Sequence, residues 1–199
     1  MQSSNRPQKG SSIKVEPIRH KKDIQLIKKL LADNLRDLAI FTLGINTNLR
    51  AGDLLRITVG QIRHLRPGEH FIVREKKTGK LRDITINETV YKALQGLLNS
   101  FSSSRPGDGD FLFQSRKGKQ ALCVSYLNSL VKSWCKEINL KGNYGSHTLR
   151  KTFGYIHRTV FNTDIPTLME MFNHSSQKQT LAYLGIQPSE IKDAYLREI

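Results

Sequence analysis

HFIVREKKTGKLRDITI, residues 70–86, reads as two short strands, His70 to Glu75 and Leu81 to Ile86, about a tight turn, Lys76-Lys77-Thr78-Gly79-Lys80. The glycine suits such a turn, and Ile84 and Ile86 stand at strand alternation, so the segment is expected to be a hairpin with a basic tip. The sequence around it has helical spacing. Before it, Ile24, Ile27, Leu30 and Leu31 share one helix face, and Leu35, Leu38, Ala39, Phe41 and Leu43 share a second. Asn48 can end that helix, and Asp53, Leu54 and Leu55 can continue into a short one. After the hairpin come a helical pattern over Glu88 to Leu98, a loop over 101–110 (FSSSRPGDGD) and a short apolar run, Phe111 to Phe113. Helical patterns then cover 122–138, 149–161, 165–172, about 177–184 and 188–197. Residues 1–12 are polar, without apolar periodicity, and are expected to form a flexible leader. No internal repeat is present. The expected fold is mainly α with a small antiparallel β-sheet (α+β), in one domain over residues 13–199.

With 38% apolar residues, a chain of 199 can build its own core. Its 32 Lys and Arg against 17 Asp and Glu give a formal charge of +15, well above the roughly 2 to 8 of an ordinary small domain. The cations recur at 19–22, 74–82, 116–119 and 150–151. Such spreading points to a folded basic surface and an anionic partner, as nucleic-acid binding requires. No stretch approaches the roughly 18 apolar residues of a membrane span, and no apolar signal core opens the chain. A location in the bacterial cytoplasm, with the nucleoid and away from membranes, is expected. Cys123 and Cys135 have neither CxxC spacing nor neighbouring ligands and are expected to be a reduced, half-buried pair.

His147-Thr148-Leu149-Arg150 sets an imidazole and a guanidinium three residues apart at a helix start, where both can reach one oxygen. Alone, the pair reads as a solvated basic helix end. With its companions it resembles the ordered motif set of tyrosine recombinases of the phage-integrase type. Thr47-Asn-Leu-Arg50-Ala-Gly-Asp53-Leu-Leu looks like the family's first arginine box, and Lys77 matches its hairpin lysine. His147 and Arg150 match its His-x-x-Arg pair, His174 in Met171-Phe-Asn-His-Ser-Ser its second histidine, and Tyr183, nine positions further on, its nucleophile. All six follow in the family's order, from about Lys14 to the C-terminus.

The resemblance implies a catalytic set of Arg50, Lys77, His147, Arg150, His174 and Tyr183, with Lys76 and Lys80 as rivals for the role of Lys77. It implies a site-specific recombinase or integrase, of the kind found in mobile elements, that cuts and rejoins DNA through a 3′-phosphotyrosine. These residue types suit that chemistry. Planar guanidiniums can grip the oxygens of a charge-rich phosphoryl species. A phenol of ordinary pKa about 10 must lose its proton as it attacks, and the departing 5′ oxygen must gain one. His147 could serve as base or phosphate donor, His174 as phosphate donor and Lys77 as general acid. The bond energy stays in the phosphotyrosine ester, so a 5′-hydroxyl can reverse the step without ATP. The motifs lack a carboxylate cluster of the kind that two-metal transfer needs, so neither metal nor cofactor is expected.

Double-stranded DNA is the expected partner, met by Arg74, Lys76, Lys80, Arg82, Lys117, Lys119 and Lys151. By resemblance the chain is expected to be a monomer when free and a homotetramer on DNA, with the segment after Tyr183 bridging protomers. The core-binding domain that precedes many family members is expected to be absent. A type IB topoisomerase-like activity, or a non-catalytic DNA-binding regulator of the same fold, are the alternatives. Asn48 and Asn173 stand where the family usually has Gly; Asn best tolerates positive φ among non-glycine residues. Tyr126, Tyr155 and Tyr195 are expected to be half-buried core tyrosines, and His64 and His157 surface residues.

Overall fold

Helix α2 (Leu35–Asn46) is buried at Asp37 and continuously from Ala39 to Gly44, so it is enclosed by its neighbours rather than lying on the surface. It starts at Asn34, whose side chain accepts the Asp37 amide at 3.2 Å. The computed structural model describes residues 15–101, 106–115, 118–184, 192 and 194–198. Around α2 run α1 (Lys21–Leu30), the short helices α3 (Ala51–Leu54) and α4 (Val59–Ile62), strands β1 (His70–Arg74) and β2 (Leu81–Thr85), and α5 (Glu88–Asn99). Then follow α6 (Val124–Glu137), α7 (Ser146–Thr159), α8 (Ile165–Phe172) and α9 (Gln177–Leu184). The fold is the expected one, mostly helical with, among the described residues, one two-stranded antiparallel sheet.

In the hairpin His70 pairs with Thr85 and Arg74 with Leu81. Phe71, Val73 and Ile84 face the core, and residues 75–80 are left as the tip. α2 packs mainly on α5 and α7. Gly44 is what lets α7 approach, since a Cβ there would stand 2.5 Å from Leu149 Cδ1. One large apolar cluster joins these elements, with Phe41 and Trp134 edge to face at 5.9 Å.

A second, separate cluster holds Phe153, Leu168, Phe172 and Leu184, with Ile165, Met171 and Tyr183 packed against it. It glues α8 and α9 to the outer face of α7, again through a glycine: a Cβ on Gly154 would lie 2.6 Å from Phe172 Cζ.

Several expectations are corrected. α7 begins at Ser146 rather than Leu149, where its apolar pattern starts, so His147 and Arg150 are its second and fifth residues, at the helix start expected of the pair. Cys123 is exposed at the N-cap of α6 and Cys135 is buried, so they are not a matched half-buried pair. His157 is no free surface residue, because its ring lies on Phe153 at 4.1 Å. Tyr195 is 86% exposed instead of half-buried. The leader, Lys117 and much of the 188–197 helix lie outside the described residues.

Candidate active site

Two left-handed asparagines shape the walls of the site. Asn48 (φ 55°) follows α2, and Asn173 (φ 53°) caps α8, so the turns expected from glycine are made by asparagine. Asn48 also ties the two together, its Nδ2 donating to the Met171 carbonyl at 2.7 Å. Arg150, only 2% exposed, donates from Nη1 to Asn48 O at 2.7 Å and from Nη2 to Phe172 O at 2.8 Å. Two of its five N–H donors are thereby spent on the scaffold. Burial lowers its pKa to about 10, which leaves it charged at neutral pH.

Tyr183 on α9 comes over this floor. Its Oη lies 3.2 Å from His147 Nδ1, and its ring stands 5.7 Å from the Arg150 guanidinium carbon and 5.5 Å from the Lys151 ammonium. Burial raises the pKa of the phenol, while Arg150 and Arg50 pull it down. His147 is exposed to solvent. The protein atoms crowded about it, with Arg150, Lys151, Arg50 and Lys77, hold its pKa below the ordinary 6.5. A neutral imidazole therefore faces the phenol. His174 is stacked on Phe172 at 5.0 Å, and its Nδ1 is 3.0 Å from the buried Thr180 Oγ1. Burial, Arg150 and Arg50 bring its pKa down to about 4.

The opposite wall is the hairpin tip. Arg50, with its side chain 21% exposed, meets Glu75 Oε2 at 2.5 Å. Glu75 is wholly buried; it also meets Arg82 at 3.2 Å and accepts the Thr78 hydroxyl at 2.7 Å. These partners overcome the cost of burial and hold its carboxyl down at about 2. Asp53 Oδ1 accepts the Lys76 amide at 3.0 Å, fastening the tip to α3. Among the three candidate lysines, Lys80 donates to Asn173 Oδ1 at 3.2 Å, whereas Lys77 lies near enough to His147 to depress its pKa.

The six predicted site residues are thus brought near one another where the hairpin tip, the α7 start and the α8–α9 layer meet. The expected DNA-contacting set is less uniform. Arg74, Lys76, Lys80 and Lys119 are exposed, and Lys151 stands beside Tyr183. Arg82 does not belong with them: its side chain is 9% exposed and points inward, to Glu75, Asn48 O at 3.2 Å and Met171 O at 2.6 Å. It is a structural clamp. Glu75, and with it its partner Thr78, escaped the sequence reading because a carboxylate in a basic run reads as solvated, and the pairing that buries it spans separate elements.

Residues 18–190 match the model of the phage integrase family. The chain is 32% identical over 182 residues to the probable integrase/recombinase YoeC of Bacillus subtilis (strain 168), covering 91% of this chain and 95% of that one. It is also 32% identical over 160 residues to the tyrosine recombinase XerC of Caldanaerobacter subterraneus subsp. tengcongensis, covering 80% of this chain but only 44% of the relative. Among solved structures, XerA recombinase superposes with a TM-score of 0.73 at 21% identity, over 96% of this chain and 65% of that one. XerH bound to its palindromic difH substrate gives 0.74 at 19% identity, over 96% and 55%. The extent of the family match and the near-complete overlap with the Bacillus relative agree with the fold and the motif order, and the chain belongs to the phage integrase family.

Proposed function

We propose that the protein is a tyrosine-type site-specific DNA recombinase that works through a covalent 3′-phosphotyrosine. The observation that carries this reading is the placing of Tyr183 Oη at 3.2 Å from a neutral His147 Nδ1, above the buried Arg150. Tyr183 Oη attacks the scissile phosphorus, its proton passes to His147 Nδ1, and the P–O5′ bond breaks as O5′ takes a proton from Lys77. Arg50 and Arg150 balance the charge gathering on the non-bridging oxygens. In the tautomer whose Nδ1 accepts the Thr180 hydroxyl, His174 carries its proton on Nε2, available to the same phosphate. Reversal by a 5′-hydroxyl from another strand rejoins DNA. The solved XerH and Tn1549 integrase neighbours, described as DNA complexes, support duplex DNA as the partner.

The test is to incubate the protein, in EDTA, with a randomised pool of nicked duplexes and look for an SDS-stable protein–DNA adduct. The adduct is expected with the wild type and not with Tyr183→Phe, and sequencing the trapped DNA gives the site. Shifted DNA without an adduct would favour the binding regulator. An adduct followed only by plasmid relaxation, without exchange between two site-bearing duplexes, would favour the topoisomerase-like activity. The native mass of the trapped complex reports whether it is a tetramer.

A further inference from the structure

Glu75 is the one wholly buried carboxylate among the described residues, in a chain with a net charge of +15. Burying such a group without partners is costly, and each of its oxygens is met by a donor. Its backbone forms the neck of the tip, with the Glu75 amide donating to Lys80 O at 2.9 Å and the Gly79 amide donating to Glu75 O at 2.8 Å. One carboxylate oxygen, Oε2, receives both the Arg50 guanidinium at 2.5 Å and the Thr78 hydroxyl at 2.7 Å. The other, Oε1, receives Arg82, which is itself bonded to the carbonyls of Asn48 and Met171. Lys77 sits in the short arc between Glu75 and Thr78.

We propose that Glu75 is a positioning residue which, through Thr78, couples Arg50 to Lys77, so that the group gripping the phosphate and the group protonating the leaving oxygen are registered by a single carboxylate oxygen. The coupling rests on the mechanism proposed above. Arg50 cannot shift along the site without moving the acceptor that orders the tip, and the tip cannot flex at Thr78 without releasing that oxygen. A geometric link of this kind matters because proton transfer and phosphate contact fail with displacements of about 1 Å. Arg82 anchors the far side of the carboxylate to the turn preceding Arg50 and to the C-terminal end of α8 preceding His174, so the same centre senses both walls of the site.

The experiment removes only the tip arm. Thr78→Val keeps the shape of the side chain and both ion pairs of Glu75, so the fold is expected to survive; Glu75→Ala would strand Arg82 in the interior and is not informative. Wild type, Thr78→Val, Lys77→Ala and Arg50→Ala are compared on the trapped duplex with ordinary oxygen, and with sulfur replacing O5′ at the scissile position. Sulfur leaves without needing a proton, so it rescues a lost general acid but not a lost phosphate grip. Lys77→Ala and Thr78→Val are expected to slow cleavage of the oxygen duplex, Lys77→Ala by about a hundredfold or more, the range assigned to general acid catalysis, and Thr78→Val, which only displaces the acid, by about tenfold. Both are expected to fall within about twofold of wild type on the sulfur duplex, where Arg50→Ala stays slow. Equal loss by Thr78→Val on both duplexes, or no loss on either, would overturn the coupling. Failure of the wild type on both duplexes would instead overturn the recombinase reading itself.

Discussion

His147 and Tyr183 are thirty-six positions apart in sequence and 3.2 Å apart in space. The histidine can accept the phenol's proton only while neutral, and its surroundings push its pKa below 6.5. Single-turnover cleavage is therefore expected to be undiminished above pH 6.5 and to fall as the pH drops through the histidine's lowered pKa. His147→Gln should be slow throughout and lack that acid limb; an unchanged limb in the variant would assign it to another group. At this scale the sequence was most legible where residue type and order coincide, as in Arg50, His147, Arg150, His174 and Tyr183. It was least legible where charge and environment part company. Arg82 and Glu75 look like two more charges in a solvated basic stretch, and they turn inward because each supplies the partner the other needs.

Between residues and molecule stand the elements, whose periodicities foretold nearly every helix and the hairpin. Helical spacing is a property of apolar positions, so it located α2, α5 and α7, while the polar first turn of α7, Ser146 to Thr148, fell outside that pattern and was marked only by the reading of the His147–Arg150 pair as a helix start. Spacing also could not show that the apolar residues of α8 and α9 join a cluster of their own. The seam between that cluster and α7 is Gly154, where a Cβ would come within 2.6 Å of Phe172 and 2.9 Å of Leu184. Gly154→Ala is expected to cost about 1–3 kcal/mol by overpacking, lowering the melting temperature by roughly 2–4 °C per kcal/mol. Because Tyr183 rides on the displaced layer, covalent adduct formation should drop by more than the loss of folded protein accounts for. A variant as active per folded molecule as the wild type would detach the seam from catalysis.

For the whole molecule, composition alone announced an anionic partner, but not which of the cations are free to meet it; that depends on the inward turn of one strand residue and the outward turn of its neighbours. The division into two apolar clusters bears on how the protein ages under heat. α2 is sealed into the large cluster and α7 spans both, whereas α8 and α9 rest mainly on each other and on α7. Segments with less buried apolar contact open at lower free energy than the global unfolding. The backbone amides of α8 and α9 are accordingly expected to exchange with deuterium before those of α2, and uniform exchange would refute this. The proposed nucleophile thus belongs to the more perishable of the two layers: if Tyr183 has that role, a warmed sample should lose covalent adduct formation while its circular dichroism still reports a folded chain, and regain it on cooling.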